Sequence, residues 1–513
     1  MDVAEAISAA EARFEARRRV VGLVLAPIVF TLLLVLPLPS LSRPAHALAA
    51  VAAAVVVLWI TEAIPLAVAA LLGPALAVLL DVAPADAAFA PIADPLIFLF
   101  LGGFLLAEGL ARQGVDRRVA LWLIARPVVK GSPARALIAL SVISFGFSMW
   151  ISNTATTAML LPVALGLHAT MREVVGTEPE RRRALDRYGG GLCIMVAYSA
   201  SIGGTATPIG TGPNVLAIGM LEGRLGEHFD FARWMVFALP TAITMLAIAS
   251  AIAVRRFPAP VKRLAGLAAE VERQLAALGP VTPAERRAVG IFALAIAAWL
   301  APSILQLALG PAHPATTWAH AHLDEGVVAI ACASLLFVLP SGMPPANAGD
   351  RPPRLLAWEQ TRNLDWGTLL LLGGGLALGR LTFETGLAEA IGRGVLDFAG
   401  PLAREPIGLM LAATALVLVL TEVTSNTAVT SMMLPVLIGI AQAAGIDPVP
   451  VALLATLAAS FAFMLPVSTP PNAMAYGTRL VKIDQMLGFG IRLDLAGLAL
   501  LAIVGVLLLP LVR

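Results

Sequence analysis

Two tripeptides stand out by what surrounds them. Ser152-Asn153-Thr154 and Ser425-Asn426-Thr427 each sit midway along an apolar stretch, about 135–170 and about 406–441. Their hydroxyl and amide oxygens can ligate a small cation, and their O–H and N–H groups can donate to an anion. Downstream of each lies a cluster that breaks a helix. These are Thr211-Gly212-Pro213-Asn214 within about 189–222, and Thr469-Pro470-Pro471-Asn472 within about 450–478. Proline removes a donor and disrupts the helical turn. A broken helix frees carbonyls for a hard cation and, at its N-terminal end, N–H groups for an anion. Each tripeptide and its break can build one cation site, and the two tips together can hold an anion. No Lys, Arg or His occurs in 148–157, 204–214, 421–430 or 466–472. With no fixed positive charge there, a bound anion would be balanced by the cations held beside it.

The rest of the chain supplies apolar walls for such sites. Of its 513 residues, 59% are hydrophobic and 13% charged, against about 25% charged in soluble domains. The reading is an all-α integral membrane protein with about eleven transmembrane helices. A disordered chain, a secreted disulfide scaffold and a soluble multi-domain enzyme are excluded. A net charge of +2 gives no basic excess for nucleic acid. Cys193 and Cys332 lie in apolar runs and read as small hydrophobes. A retained first helix covers Val20 to Leu36. Further spans fall at about 47–64, 66–80, 95–110, 232–254, 289–309, 326–340, 366–380 and 490–511.

Backbone polar groups cannot stay unpaired in hydrocarbon, so a tripeptide tip reads as the turn of a re-entrant hairpin. Arms of roughly 15 residues at ~1.5 Å rise reach the middle of a ~30 Å core. The plainer alternative is Ser, Thr and Asn joining two ordinary helices. A repeat decides for the hairpin. Leu101-Gly102-Gly103 recurs as Leu372-Gly373-Gly374, and Ser152-Asn153-Thr154-Ala155 as Ser425-Asn426-Thr427-Ala428. Pro162 and Pro435 follow each Thr by eight residues. The stretch Pro208 to Asn214 recurs as Pro466 to Asn472, all in one order. Fixed-order recurrence is the mark of a duplicated unit. With the topology below it is an inverted repeat, carrying two re-entrant hairpins and two broken helices, a pattern typical of secondary transporters. The run Gly373-Gly374-Gly375 reads as close helix packing.

Cytoplasmic loops carry the excess of Lys and Arg. Placing the N-terminus in the cytoplasm and the C-terminus outside puts 28 of the 35 Lys and Arg inside and 7 outside. The expected segmentation is a cytoplasmic segment with the first helix (1–45), a first half (46–254), a cytoplasmic linker (255–288), a second half (289–487) and a last helix (488–513). The stretch 310–324 reads as an external loop. Its His313, His320 and His322 lack the acidic or Cys partners of a metal site. Glu422, beside the second tip, is a functional candidate or a structural hydrogen-bonding group. Glu108 reads as interfacial.

The paired Ser-Asn-Thr motifs, each followed by its Thr-x-Pro-Asn break, resemble the divalent anion:sodium symporter family, carriers of di- and tricarboxylates. The resemblance runs from about Leu99 to Ile491, departing at Gly212-Pro213, where relatives often have Pro-Pro. It implies a first sodium site of Ser148, Ser152, Asn153 and the Gly210 carbonyl. It implies a second of Thr421, the Thr424 carbonyl, Asn426 and the Ser468 carbonyl. Substrate carboxylates would meet Ser152, Asn153 and Thr154 and, from the other side, Ser425, Asn426 and Thr427, with Thr211 and Thr469 nearby. It further implies a homodimer with an elevator-like cycle.

The function expected is inward transport of a C4-dicarboxylate such as succinate with co-transported sodium, across the inner membrane. No organic cofactor and no nucleic-acid partner are expected; the partners are substrate and bilayer. The alternatives are a sodium-independent dicarboxylate exchanger, or a carrier for citrate or sulfate. An intramembrane hydrolase would need a His or Asp near the mid-span serines, and none is near in sequence. A passive channel is disfavoured by the inverted repeat of broken helices.

Overall fold

The computed structural model describes residues 3–126, 129, 132–175, 178–226, 229–261, 267–342, 353–399 and 404–512. Part of the 255–288 linker (262–266) and the stretch 343–352 within the second half lie outside the described residues. Among the described residues there are 22 α-helices and no strand. The chain begins with α1 (Val3–Val35), α2 (Arg43–Thr61), α3 (Leu66–Leu79), α4 (Ala85–Phe89), α5 (Pro95–Arg112) and α6 (Val115–Ile124). Next come α7 (Pro133–Ser148), α8 (Asn153–Val175), α9 (Pro179–Gly204), α10 (Gly212–Leu225) and α11 (Phe231–Arg256). The middle holds α12 (Leu267–Ala277), α13 (Pro283–Leu309), α14 (Pro314–His322) and α15 (Glu325–Val338). The last third holds α16 (Trp366–Glu384), α17 (Leu387–Ala399), α18 (Pro406–Thr421), α19 (Asn426–Ala443), α20 (Pro448–Ala459), α21 (Pro470–Gly477) and α22 (Ile483–Val512).

Consecutive helices stand where the two hairpins and the two breaks are expected: α7 and α8, α18 and α19, α9 and α10, and α20 and α21. Of the arms, α8 and α19 have 23 and 18 residues and are themselves of membrane-crossing length. The expected span count is eleven. Among the described residues nine helices are long and apolar enough to cross a membrane, or ten if α14 and α15, bent by 73°, count as one span. The expected spans at 66–80 and 326–340 are helices of only 14 residues, about 21 Å at the helical rise. The stretch 310–324 contains α14, because His313 caps it by accepting from the Ala315 N–H at 3.2 Å, and Pro314 sits at its first position.

By internal contacts the chain divides into two compact units, one of Met1–Ile97, Val215–His228 and Trp366–Ala459, the other of Phe98–Asn214, Phe229–Asp365 and Ser460–Arg513. In the first unit α16 packs on α3, and α18 and α19 both pack on α20. Leu48, Val51 and Val55 of α2 join Ala70 and Ala77 of α3 and Leu371 of α16 in its core. A Cβ on Gly374 would fall 2.4 Å from the Ala70 carbonyl oxygen. The backbones of α16 and α3 therefore touch, as small residues allow between membrane helices. The same device recurs in the second unit, where a Cβ on Gly102 of α5 would fall 2.6 Å from the Ala329 carbonyl carbon of α15.

The second unit shows why α7 and α8 form a hairpin. The Tyr188 hydroxyl of α9 donates to the Pro133 carbonyl at the start of α7 at 2.8 Å, and Gly189 lies against His168, late in α8. At the other end of α9, Gly204 lies against Asn153, the first residue of α8. The two arms thus run in opposite directions along α9. After each of α5 and α16 the chain turns at a glycine in left-handed conformation, Gly114 (φ 70°) and Gly386 (φ 77°).

Candidate functional site

The first tip lies wholly in the second unit. Helix α7 ends at Ser148 and α8 begins at Asn153. The buried Ser148 hydroxyl donates to Asn153 Oδ1 at 2.6 Å. Ser152 caps α8, its Oγ accepting from the Ala155 N–H at 3.3 Å, as hydroxyl residues do at helix starts. The Thr207 hydroxyl, from the break, donates to the Met149 carbonyl of the tip. Glycine is required on the α9 side: a Cβ on Gly204 would fall 2.3 Å from Asn153 Oδ1 and 3.1 Å from the Gly210 carbonyl oxygen. A Cβ on Gly210 would fall 2.4 Å from the Gly204 carbonyl oxygen. Ser148, Asn153 and the Gly210 carbonyl, named from sequence, are therefore gathered in one place, with Ser152 beside them. Thr154 is exposed on the first turn of α8, and Thr211 is half-buried just before α10.

Four helix ends meet this place. The C-terminal carbonyl ends of α7 and α9 carry partial negative charge; the N-terminal ends of α8 and α10 carry partial positive charge. The arrangement offers oxygens to a small cation and N–H groups to an anion without any charged side chain.

The second tip, in the first unit, repeats the pattern. Thr421 Oγ1 lies 2.6 Å from Asn426 Oδ1 and 2.7 Å from the Ala459 carbonyl oxygen. Its one proton serves one of them at a time. The hydroxyl-to-Asn spacing is five residues at both tips, with the same 2.6 Å distance. Thr424 donates to the Trp59 carbonyl at 3.4 Å. Ser425 precedes α19, and Asn426 and Thr427 form its first turn, all three half-buried. Ser468 and Thr469 belong to the second unit. There Thr469 caps α21, accepting from the Asn472 N–H at 3.3 Å, and the Ser468 hydroxyl donates to the Leu465 carbonyl at 2.9 Å.

Two residues quoted from sequence only as parts of the breaks prove to be their clamps. Asn214 Nδ2 donates to the Gly204 carbonyl at 2.9 Å and the Thr207 carbonyl at 2.8 Å. Asn472 Nδ2 donates to the Ala462 carbonyl at 2.8 Å and the Leu465 carbonyl at 3.1 Å. In both copies the acceptors lie ten and seven residues upstream. Both Asn side chains are fully buried, and Oδ1 of each has no hydrogen-bond partner among the described residues. Trp234 also supports the first break, its Nε1–H donating to the Thr205 carbonyl at 3.1 Å. The Tyr198 hydroxyl donates to the Phe463 carbonyl in the second break. The recurring Pro-Asn was the available signal for the clamps; nothing in the sequence pointed to Trp234 or Tyr198.

Glu422 is buried next to the second tip. Glu108 pairs with Arg112 at 2.7 Å, one turn along α5. His320 lies 3.0 Å from Gln306, and His322 lies 2.9 Å from the Trp318 carbonyl and stacks on that indole. Among the described residues no three His, Cys, Asp or Glu side chains come together as a metal site. Cys193 and Cys332 are both buried and free.

The family model described as the sodium:sulfate symporter transmembrane region matches residues 17–512. The sodium-dependent dicarboxylate transporter SdcS of Staphylococcus saprophyticus is 33% identical over 497 residues, covering 96% of this chain and 92% of that protein. The protein of the same name from Staphylococcus aureus is 32% identical with the same coverage. Among solved structures, the YdaH transporter of Alcanivorax borkumensis is similar at a TM-score of 0.51 and 14% identity, covering 81% of this chain and 85% of that one. MtrF of Neisseria gonorrhoeae is similar at 0.50 and 16% identity, covering 81% of each. At such identities these two speak for the fold alone. The match over nearly the whole chain and the relatives at about a third identity establish that this multi-pass membrane protein belongs to the sodium:sulfate symporter family of transporters.

Proposed function

We propose that this chain imports a C4-dicarboxylate such as succinate, driven by co-transported sodium. The observation that supports it most is the oxygen cluster of Ser148, Asn153, Gly204 and Gly210, assembled from neutral groups with no Lys, Arg or His in its windows. The name of the Staphylococcus relatives, sodium-dependent dicarboxylate transporter, points the same way. Sodium binds at Ser148, Ser152, Asn153 and the Gly210 carbonyl. The second ion uses Thr421, the Thr424 carbonyl, Asn426 and the Ser468 carbonyl. Substrate carboxylates engage Ser152, Asn153, Thr154 and Thr211 of the first motif and break, and Ser425, Asn426, Thr427 and Thr469 of the second. The protein works as a homodimer by an elevator-like cycle of an inverted repeat, in the inner membrane, with its N-terminus cytoplasmic and its C-terminus external.

A dianion moved into a low-dielectric site without compensating charge is strongly disfavoured. Helix ends offer about half a charge each, so two sodium ions carry the balance. Coupling is then reciprocal: sodium raises dicarboxylate affinity, and dicarboxylate raises sodium affinity by the same factor. The test is calorimetric binding of succinate to the purified protein, in sodium and in choline at equal ionic strength. Binding that requires sodium supports the symporter. Equal affinity in both buffers refutes it and selects a sodium-independent exchanger. The family description names sulfate, so competition of succinate uptake by sulfate and by citrate separates the remaining substrates.

A further inference from the structure

The first unit contains a cavity of about 750 Å³ that the transport motifs do not account for. Its size falls within the usual range of small-ligand sites, about 300–1,000 Å³. Three membrane-length helices, α2, α16 and α19, contribute to its wall. The facing side chains of α2 are Ala49, Ala52, Ala53 and Val56, one face of a helix by their spacing. Three of these four carry only a methyl group, so the face leaves a slot instead of filling it. The polar end is different. Arg393 and Asp397 line it from α17, four residues apart, and both are exposed. Among the described residues neither makes an ion pair, with the other or with a third group.

An apolar slot among membrane helices, with one cation and one anion at its mouth, matches a zwitterionic amphiphile. We propose that this cavity binds one acyl chain of a bilayer phospholipid, with the phosphate at Arg393 and the head-group ammonium at Asp397. A guanidinium is suited to phosphate. A free fatty acid would leave Asp397 unanswered, and a dicarboxylate would gain nothing from the alanine face. The site bears on the second hairpin in two ways. Met432 and Val436 of its arm α19 line the cavity, and so does Trp59, whose carbonyl accepts from Thr424 at the tip.

Trp59 supplies the readout. It is only 3% exposed, so bulk lipid does not reach it and a chain in the slot does. The full chain is reconstituted in phosphatidylcholine with brominated acyl chains, which quench a touching indole. The chain has 8 Trp, so the Trp59 component is taken as the difference from Trp59→Phe. We expect that component to be quenched at least twofold, and the quenching to vanish in Ala53→Leu, which fills the slot. Phosphatidylcholine should quench more than brominated phosphatidylglycerol of the same chains, a preference that Arg393→Gln with Asp397→Asn abolishes. Equal quenching of wild type and Trp59→Phe overturns the proposal, as does undiminished quenching in a folded Ala53→Leu. Equal or stronger quenching by phosphatidylglycerol overturns the head-group assignment. Disulfide dimers formed through Ala53→Cys would give the face to a second copy and overturn it altogether.

Discussion

Asn214→Ala tests whether the break must be held in shape for sodium to bind. The substitution removes both Nδ2 donations; in these buried residues it leaves the Gly204 carbonyl without a partner among the described residues and the Thr207 carbonyl with only the Gly210 N–H at 3.3 Å. A buried acceptor left unpaired costs about 1–3 kcal/mol, and the middle of that range, about 2 kcal/mol, is taken for the Gly204 carbonyl. In the sodium-free protein the loop can relax and let water reach these carbonyls. Sodium binding requires it to return, because the Gly210 carbonyl is a proposed ligand and packs against Gly204. The cost then appears in sodium affinity. At 1.4 kcal/mol per decade, 2 kcal/mol raises the half-saturating sodium concentration about 30-fold. The assay is the rise in Tm of the purified protein with sodium, without substrate, in choline-balanced buffer; a ligand that binds only the folded state stabilises it by mass action. Asn214→Asp separates clamp from ligand. It keeps the shape but has no N–H to donate, so a clamp fails as badly as with alanine. If Oδ1 were itself a sodium ligand, the carboxylate would bind sodium at least as well as wild type. A sodium response of Asn214→Ala within twofold of wild type would refute the reasoning, and tight sodium binding by Asn214→Asp would reassign the residue.

Asn153→Ala and Asn426→Ala each remove the Oδ1 that its neighbouring hydroxyl engages at 2.6 Å; proteoliposome uptake should be lost while the protein still folds and inserts, and near-normal uptake by either removes that Asn from the site. Gly374→Ala places a methyl 2.4 Å from the Ala70 carbonyl oxygen; overpacking of about 1–3 kcal/mol should lower Tm while each folded molecule keeps its sodium affinity, and an unchanged Tm would contradict the backbone contact. Cysteines replacing Arg273 and His320, both exposed, should report the orientation. An impermeant thiol reagent on intact cells is expected to label position 320 and spare 273, and the reverse pattern inverts the topology.

The tips and breaks were legible because hydrocarbon is intolerant of polar backbone. Ser152-Asn153-Thr154 within an apolar run has few structural meanings, and its recurrence 273 residues later removes most of the rest. Close packing at Gly374 was legible for the same reason, though its partner Ala70 was not. Nothing local to α16 distinguishes α3 from any other apolar helix, and contact partners this far apart are set by the whole fold. Hydropathy measures apolarity and not helix length, so it marks spans at 66–80 and 326–340, where α3 and α15 are apolar but only 14 residues long. Helix α14 carries little sequence signal because its start is made by a His cap and a proline, which have no apolar period. The Asn clamps were hidden because their acceptors, seven and ten residues upstream, lie across a non-helical loop, where no periodicity relates donor to acceptor.

The clamps explain how a site of neutral groups can be strong enough and still conditional. An arginine at a tip would hold a dianion in every state of the protein, sodium or no sodium, and substrate binding would report nothing about the ion. Carbonyls and amides alone attract a dianion too weakly, since each helix end contributes about half a charge. In the proposed cycle the cation makes the site attractive, and the cation binds only where several oxygens are held at ligating distance together. A free loop of glycines and prolines would not hold them. The first break is fastened at Gly204, Thr205 and Thr207 by Asn214 and Trp234, and the Thr207 hydroxyl fastens the tip to it at Met149. None of these bonds uses up Asn153 Oδ1 or the Gly210 carbonyl as an acceptor of a clamp. The groups that shape the loop are thus distinct from the groups offered to the ion. That division keeps the loop fastened while leaving the proposed sodium ligands, Asn153 Oδ1 and the Gly210 carbonyl, free of clamp bonds.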